Sequence, residues 1–466
     1  MRRIPPGVQA PTTPPAPPPA DPPIAPAETR NLLTLALHLI VFRIGWTFKQ
    51  ESIIMAVFLD AIAGQDWVRG LLPTLSRLGQ NIPPIWWARP LKEMDYKKRS
   101  LVLFTLLVAA PFLVLAGLWW SLGGRSRPWL PVVFLALYFG FSVLYGLQQL
   151  SLGTVQGKLI RPTRRGRLLW VAQLLGLPPV VVLMSWLMPR FLAEPQTGFV
   201  QIFFFAGVSF LVSGLLAQGL WEQPGRTAEE AAEARRIVGG LRAGLAESWQ
   251  VLRRDGNLRL LIAVAFLLSS VLVLAPHYQA LARVRFHLTQ AQMAHLAPGW
   301  LVIQTISVSL FSLAIGYVAD RRGNRLTLRL LILGAAVAPV LAVAVAHLPG
   351  PLGPRLYWTV YIPQGLSPLL LLLLNNYTLE ICVPEEHPRY LSTLTMCLLV
   401  PFLSSPLVGK LITLTSFEAV FIAAAGLMLA SAALTFWLTE PRHERCEAVA
   451  GGNAWGPSRS VPRRHA

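Results

Sequence analysis

Aliphatic runs recur between positions 32 and 438, each close to the length that crosses a bilayer, about 20 residues. That repetition constrains the fold more than any motif does. A backbone in lipid must satisfy its own N–H and C=O groups, and for runs of this length the regular solution is the α-helix. Twelve spans fit, at 32–64, 67–88, 100–120, 129–155, 168–190, 198–221, 257–284, 292–319, 326–347, 354–382, 391–415 and 417–438. Composition agrees. Charged residues make up 14% of the chain and hydrophobic residues 54%, whereas a soluble chain carries about a quarter charged residues. The expected fold class is an all-α polytopic membrane protein with twelve transmembrane helices.

The formal net charge is +19. The cations sit in short segments between apolar runs, with no aromatic-basic interleaving, so no nucleic-acid partner is expected. Alternate loops differ in charge. One set holds Arg89, Lys92, Lys97, Lys98 and Arg99, then Lys158, Arg161, Arg164, Arg165 and Arg167, then Arg321, Arg322, Arg325 and Arg329. The intervening loops carry fewer. The positive-inside rule makes the first set cytoplasmic, and an even number of spans puts both termini there too. The expected location is the cell (inner or plasma) membrane. Residues 1–31 are proline-rich with a basic start and no apolar signal core, which reads as a disordered cytoplasmic tail with polyproline II character. Residues 439–466 read as a basic cytoplasmic tail. Cys382, Cys397 and Cys446 fit neither a zinc spacing nor a disulfide framework.

The spans divide into two six-helix halves, 32–221 and 257–438, around a linker at 222–256. The halves share a faint repeat: "KLIRPTRRGR" ends the fourth span and "EICVPEEHPR" the tenth, both reading charged-x3-Pro-x4-Arg. The proline fits because a helix must stop there. In the linker, Thr227 and Glu230 form a capping-box pattern. Ile237, Leu241, Leu245, Trp249 and Leu252 then recur at helical spacing among arginines. They predict an amphipathic helix, lying either on the membrane surface or on the protein's own cytoplasmic face.

"GYVADRRGNR", from Gly316 to Arg325, joins the second and third spans of the second half. Gly316 lets two helix backbones approach, Gly323 permits a tight turn, and the arginines hold the loop in the cytoplasm. Together with twelve spans in two halves, this stretch resembles the G-x3-D-[RK]-x-G-[RK]-[RK] signature of the major facilitator superfamily. Arg161–Arg167 is also similar to a stretch before the fifth span of some bacterial members. The resemblance covers 31–440. It implies two pseudo-symmetric halves and makes Gly316, Asp320, Arg321, Gly323 and Arg325 a gating motif that locks the cytoplasmic side of the outward-facing state. Two departures stand out. Asn324 replaces the first of the final basic pair. The equivalent first-half turn, "ARPLKEMDYKK", reverses the acid–base order, so any lock there must use different pairs.

Ionisable groups inside spans cost about 2.5–3.5 kcal/mol each on insertion scales, so each marks a functional hypothesis. The first span is the richest. It is long for a single crossing, which predicts Leu32–Phe42 at the interface and the crossing from Gly45 to Gly64. Lys49 and Glu51 then fall inside the membrane. At 100° per residue they point roughly opposite ways, so they share a cavity only if the helix is broken or the site is wide. Arg43 and Gln50 share a face. Gln148 and Gln149 in the fourth span, Gln304 in the eighth and Asn375 and Asn376 in the tenth are polar positions inside spans. In the family, the first, fourth, seventh and tenth spans line the central cavity, which makes Lys49, Glu51, Gln148, Gln149, Asn375 and Asn376 cavity candidates by resemblance. His277, towards the outer end of the seventh span, is a candidate proton relay.

No phosphate loop, H-E-x-x-H, C-x-x-C or nucleophile elbow occurs in the sequence. The expectation is therefore no enzyme, no cofactor and no metal. It is a monomeric secondary transporter that moves a small-molecule solute by alternating access, with protons as the candidate coupling ion. The alternative is a transport-inactive receptor or assembly partner of the same fold, motivated by the missing first-half motif and the long tail. Substrate identity and transport direction are not encoded in any motif.

Overall fold

The computed structural model describes residues 27–63, 66–224, 241–382 and 386–439. The proline-rich tail, the Thr227–Glu230 pattern and the basic C-terminal tail lie outside the described residues. All regular structure among the described residues is helical. Eleven helical segments are long and apolar enough to cross a membrane. The remaining crossing is the second span, built from Leu71–Asn81 and Pro83–Glu93. Pro83 and Pro84 lack the N–H groups that would continue the first piece, so this span is two short helices. With it, the architecture is twelve helices in two halves.

In the first half, the third span (Lys97–Ser121) packs along the sixth (Pro195–Ala217) and the fourth (Leu130–Leu159), and the first lies against the sixth and the fifth (Pro162–Ala193). Its core is aromatic. Phe58 meets Trp119, Phe199 and Phe203 edge-on, with centroids 5.1, 4.9 and 4.8 Å away. Such pairs contribute about 0.5–1.5 kcal/mol each beyond area. In the second half, the ninth span (Asn324–Ala346) and the seventh pack on the twelfth (Phe417–Leu434) around a mainly aliphatic core.

The first span departs from the sequence expectation. Residues 32–42 do not form a separate interfacial piece but belong to a continuous helix, Glu28–Phe48, laid along the sixth span. Polar bonds hold it there. Asn31 donates to the Trp221 carbonyl at 2.9 Å and accepts from the Trp221 N–H at 2.8 Å. Buried His38 pairs through Nδ1 with Ser213 Oγ at 2.8 Å. Each satisfies a polar group that an interfacial placement would have left to water.

The two ends of the bundle differ. We call the end carrying Glu28, Leu159 and Arg254 the near face and the other the far face. At the far face, the short 3-10 turn Asp66–Gly70 packs against Ser405–Leu414 of the eleventh span, bringing the halves together. Thr74 donates to the Phe402 carbonyl at 2.5 Å, and Arg69 pairs with Asp60 at 2.6 Å behind it. Gly70 is required by this approach, since a Cβ there would lie 2.6 Å from the Ser405 carbonyl oxygen.

At the near face, the ion pairs and end-capping hydrogen bonds seen among the described residues stay within each half. Glu222 accepts from the backbone N–H groups of Lys97 and Lys98 at 3.0 and 2.8 Å and pairs with Lys158 at 2.8 Å. It thereby caps the positive N-terminal end of the third span and ties it to the fourth and sixth. Glu28 does the same for Arg161 and Arg164, at 3.5 and 3.2 Å. The first-half turn that lacks the usual acid is thus served by an acid from beyond the sixth span. The helix Leu241–Arg254 packs on the near end of the eleventh span, with Ser248 donating to Met396 Sδ at 3.5 Å. Of the two placements open to it, the structure takes the protein's own face.

The packing of Gly70 yields a test. Gly70→Val should wedge the far face open and shift the protein towards a far-open form. Spin labels at Gly153→Cys and Ser392→Cys, on the near ends of the two halves, should then move closer together. Unchanged label distances would mean that this turn is not the closure.

Candidate functional site: a broken first span beneath a cavity between the halves

Four consecutive polar residues, Lys49, Gln50, Glu51 and Ser52, interrupt the first span, and the helix breaks there. Gln50 leaves helical geometry at φ −43°, ψ 117°. A five-residue π-helical turn, Glu51–Met55, follows, and Ala56–Ala63 resumes the α-helix. The break removes the conflict seen in the sequence. Lys49 and Glu51, which an unbroken helix would point apart, meet at 3.6 Å.

Both are held from the fourth span. Tyr138 donates its hydroxyl proton to Glu51 Oε2 at 2.6 Å. The Lys49 ammonium lies 4.1 Å from the Trp46 ring centroid and 5.1–5.2 Å from Phe141 and Tyr138. Cation–π contacts with desolvated rings contribute about 2 kcal/mol, which helps explain how a lysine only 1% exposed is tolerated. Arg77 of the second span acts electrostatically on Lys49, Glu51, Tyr138 and Tyr145. Its guanidinium lies over the Phe402 ring of the opposite half at 4.9 Å.

The seventh span, which corresponds to the first in the other half, is also broken. Gly256–Leu274 passes through a 3-10 turn, Ala275–His277, into Tyr278–Arg285. The two breaks touch. With its amide oriented by the hydrogen-bond network, Gln279 donates to the Ile53 carbonyl at 3.1 Å and accepts from the Val57 N–H at 3.2 Å. One half therefore satisfies backbone groups that the π turn frees in the other. Interrupted helices at matching positions are the arrangement that marks binding sites in repeat-built transporters.

On the near side of this layer lies a cavity of about 410 Å³ between the halves, within the usual range for small-molecule sites. Arg43, Trp46 and Gln50 line it from the first span, Tyr145 and Gln149 from the fourth, and Gln304 from the eighth (Gln290–Arg322). Two hydrogen bonds cross it. Arg43 donates to Ser309 at 3.3 Å and Gln50 to Gln304 at 3.4 Å.

The cavity candidates from the sequence fall in five places. Gln149 lines the cavity and contacts the Tyr145 hydroxyl. Lys49 and Glu51 lie in the layer beneath it. Gln148 is fully buried behind the wall, 3.5 Å from His38 Nε2. His277 is 1% exposed at the break of the seventh span, while Asn375 and Asn376 are exposed in the near half of the tenth span (Ser367–Glu380), outside the lining. In the charged turn, Gly323 takes φ +85°, a left-handed value that favours glycine. Arg325 donates to the carbonyls of Thr435 and Phe436 in its own half, Arg321 stacks on Tyr317 at 4.3 Å, and Gly316 faces open space. The Asp320 side chain lies outside the described set. Arg77, Tyr138 and Tyr145 were not legible as site residues. A lone arginine inside the second span was a usable signal for the first, while the tyrosines look like any interfacial or core aromatic.

The Lys49–Glu51 pair gives a testable expectation. Lys49→Met removes the nearest cation from a partly exposed carboxylate that keeps Tyr138 and Arg77, and should destabilise by less than the roughly 3–5 kcal/mol of a fully buried broken pair. Adding Glu51→Gln to that variant should recover part of the loss. A double-mutant cycle on thermal unfolding checks this, and strict additivity would show that the two charges do not interact.

Residues 285–464 match the family model described as Major Facilitator Superfamily. No curated protein matches the chain. Solved structures do match across nearly the whole chain. A mutant of the nucleoside transporter NupG is similar at TM-score 0.67 and 13% identity, covering 87% of this chain and 99% of its own. The D-xylose-proton symporter is similar at TM-score 0.64 and 14% identity, covering 88% and 98%. A bacterial homologue of the iron transporter ferroportin in its inward-facing state gives TM-score 0.57 and 14% identity, covering 88% and 98%. At these identities the structures speak for the fold alone: twelve helices in two halves with a cavity between them. The match to the Major Facilitator Superfamily model covers the second half of the chain, including the signature turn at Gly316–Arg325.

Proposed function

We propose that this protein is a secondary transporter that moves a small solute across a membrane by alternating access, seen here open to the near face. One observation carries the reading: a cavity lined by Arg43, Gln50, Gln149 and Gln304 lies between two halves that meet backbone to backbone at the far face. A receptor that had lost transport would have no need of such a cavity, so its presence favours transport. The cationic loops support a cytoplasmic near face. On that orientation the form is inward-facing and both termini are cytoplasmic, in the cell membrane.

Arg325 is spent on the end of the twelfth span, within its own half, as expected if a latch at Gly316–Arg325 engages only when the near face closes. Asp320→Asn should therefore destabilise the near-closed form and enrich the longer distance between labels at Gly153→Cys and Ser392→Cys. A single, unvarying distance in the wild type would sink alternating access. Loss of ligand binding in both forms with the distance balance intact would sink the latch alone.

Glu51 is the proposed proton carrier. It holds a carboxylate between a lysine and a phenol beneath the cavity, and its side chain is 25% exposed. Protonation would remove the charge that Lys49 and Tyr138 both address, weakening the arrangement seen here. Acidification should therefore shift the label distances away from the near-open form. The shift should vanish in Glu51→Gln and persist in His277→Gln. An unchanged pH response in Glu51→Gln overturns the assignment.

A further inference from the structure

A groove at the far end of the second half has a cationic mouth and an apolar bed. We propose that it binds one phospholipid of the far leaflet with a net negative head group, its phosphate on Arg355 and His295 and one acyl chain lying between the eighth and tenth spans. The site requires only that the chain spans a membrane. It shares no lining residue with the cavity between the halves.

The groove has a volume of about 360 Å³. His295, Leu296, Gly299 and Ile303 line it from the eighth span, and Arg355 and Trp358 from the start of the tenth. Its polarity runs in one direction. His295 lies near the far end of Gln290–Arg322, and Ile303 lies about 12 Å deeper along that helix at a rise of about 1.5 Å per residue. On the tenth span, Arg355 sits in Leu352–Leu356 and Trp358 in the turn that follows, Tyr357–Val360. Polar groups are thus at the membrane edge and apolar side chains towards its interior. A phospholipid has the same order, charged phosphate and then hydrocarbon. A free phosphate would use the mouth and leave the bed empty.

The mouth suits a phosphate. Arg355 and His295 are exposed, and neither side chain has a hydrogen bond or ion pair among the described residues. The guanidinium fork meets phosphate oxygens bidentately, and an imidazole keeps an N–H donor in either protonation state. A head group with its own ammonium would set that charge against Arg355, so a net negative one is favoured. The bed suits a chain. Trp300 is 2% exposed and stacks on Tyr361 at 5.3 Å, which makes it a fixed floor. Trp358 is 40% exposed and forms a free wall, at the level where tryptophan meets the membrane–water boundary. A Cβ at Gly299 would meet no atom within 4 Å. No neighbouring helix therefore requires this glycine, which is a poor helix former, and the space above it belongs to the groove.

The test uses the purified full chain in detergent with dioctanoyl phosphatidylglycerol, dioctanoyl phosphatidylcholine and inorganic phosphate as probes. Titrations are read by thermal shift, and native mass spectrometry counts the lipid retained. Phosphatidylglycerol should stabilise the protein and leave one molecule bound, phosphatidylcholine should bind more weakly, and inorganic phosphate should not stabilise. Arg355→Gln should weaken phosphatidylglycerol about tenfold, the loss expected for a charge-assisted bond. Gly299→Leu fills the bed and leaves both polar groups in place, so it should weaken the lipid by a similar factor. Because leucine is the better helix former, the lipid-free variant should unfold no earlier than wild type. This second variant keeps the test open if Arg355→Gln fails to fold. The proposal is overturned if phosphatidylglycerol binds no more tightly than phosphatidylcholine, if inorganic phosphate stabilises as much as the lipid, or if a folded Arg355→Gln or Gly299→Leu protein leaves the phosphatidylglycerol titration unchanged.

Discussion

Everything of functional interest in this protein depends on the break at Gln50. A membrane helix leaves its backbone bonds unmade only where something else makes them. Here the π turn is closed by Gln279 from the other half, and the side chains it releases are held by Tyr138 and by the aromatic rings around Lys49. The break thus does three things at once. It turns two oppositely directed charges into a pair, it opens a floor for the cavity, and it binds the first span to the seventh across the interface. Each of these would be lost in a continuous helix.

The interface between the halves follows from that arrangement. Towards the far face, contacts across it are backbone-close, as at Gly70 and Ser405. Around the cavity the hydrogen bonds that cross it are long, while the fifth and eighth spans pack along each other at its side. In a bilayer there is no hydrophobic drive between helices, so close packing and hydrogen bonds decide which surfaces stay together. The far face is therefore the firm end in this form and the cavity the adjustable part. The near face is braced within each half, by Glu28 and Glu222 in the first and by Arg325 and Arg329 on the twelfth span in the second. Such bracing keeps each half rigid while leaving the two free to move relative to one another.

Much of this was legible beforehand. The apolar runs located all the helices, since lipid allows few alternatives. Charge in alternate loops and the turn at Gly316–Arg325 pointed to two halves and to a family. The sequence also posed the question of the first span, because Lys49 and Glu51 cannot share a side of an ideal helix. What it could not show was which polar residues face one another. Gln148 and Gln149 are neighbours in the chain, yet one is sealed behind the wall with His38 and the other lines the cavity. Glu222, beyond the sixth span, caps the start of the third span after the first-half turn, and no local pattern could assign it there.

The sequence alone therefore determined that the chain is a helical membrane protein of twelve spans, because backbone satisfaction in lipid is a local requirement. It also determined where helices must stop, through Pro162 and Gly323, though not that the second span divides at Pro83. Only the tertiary structure decided that the first span breaks, that Lys49 and Glu51 meet, that a cavity lies between the halves and that they close on each other at the far face. Those outcomes rest on partners such as Tyr138, Gln279, Gln304 and Ser405, brought from distant positions in the chain. Hydrogen bonds and charge pairs act over a few ångströms, and only the packed bundle sets those distances.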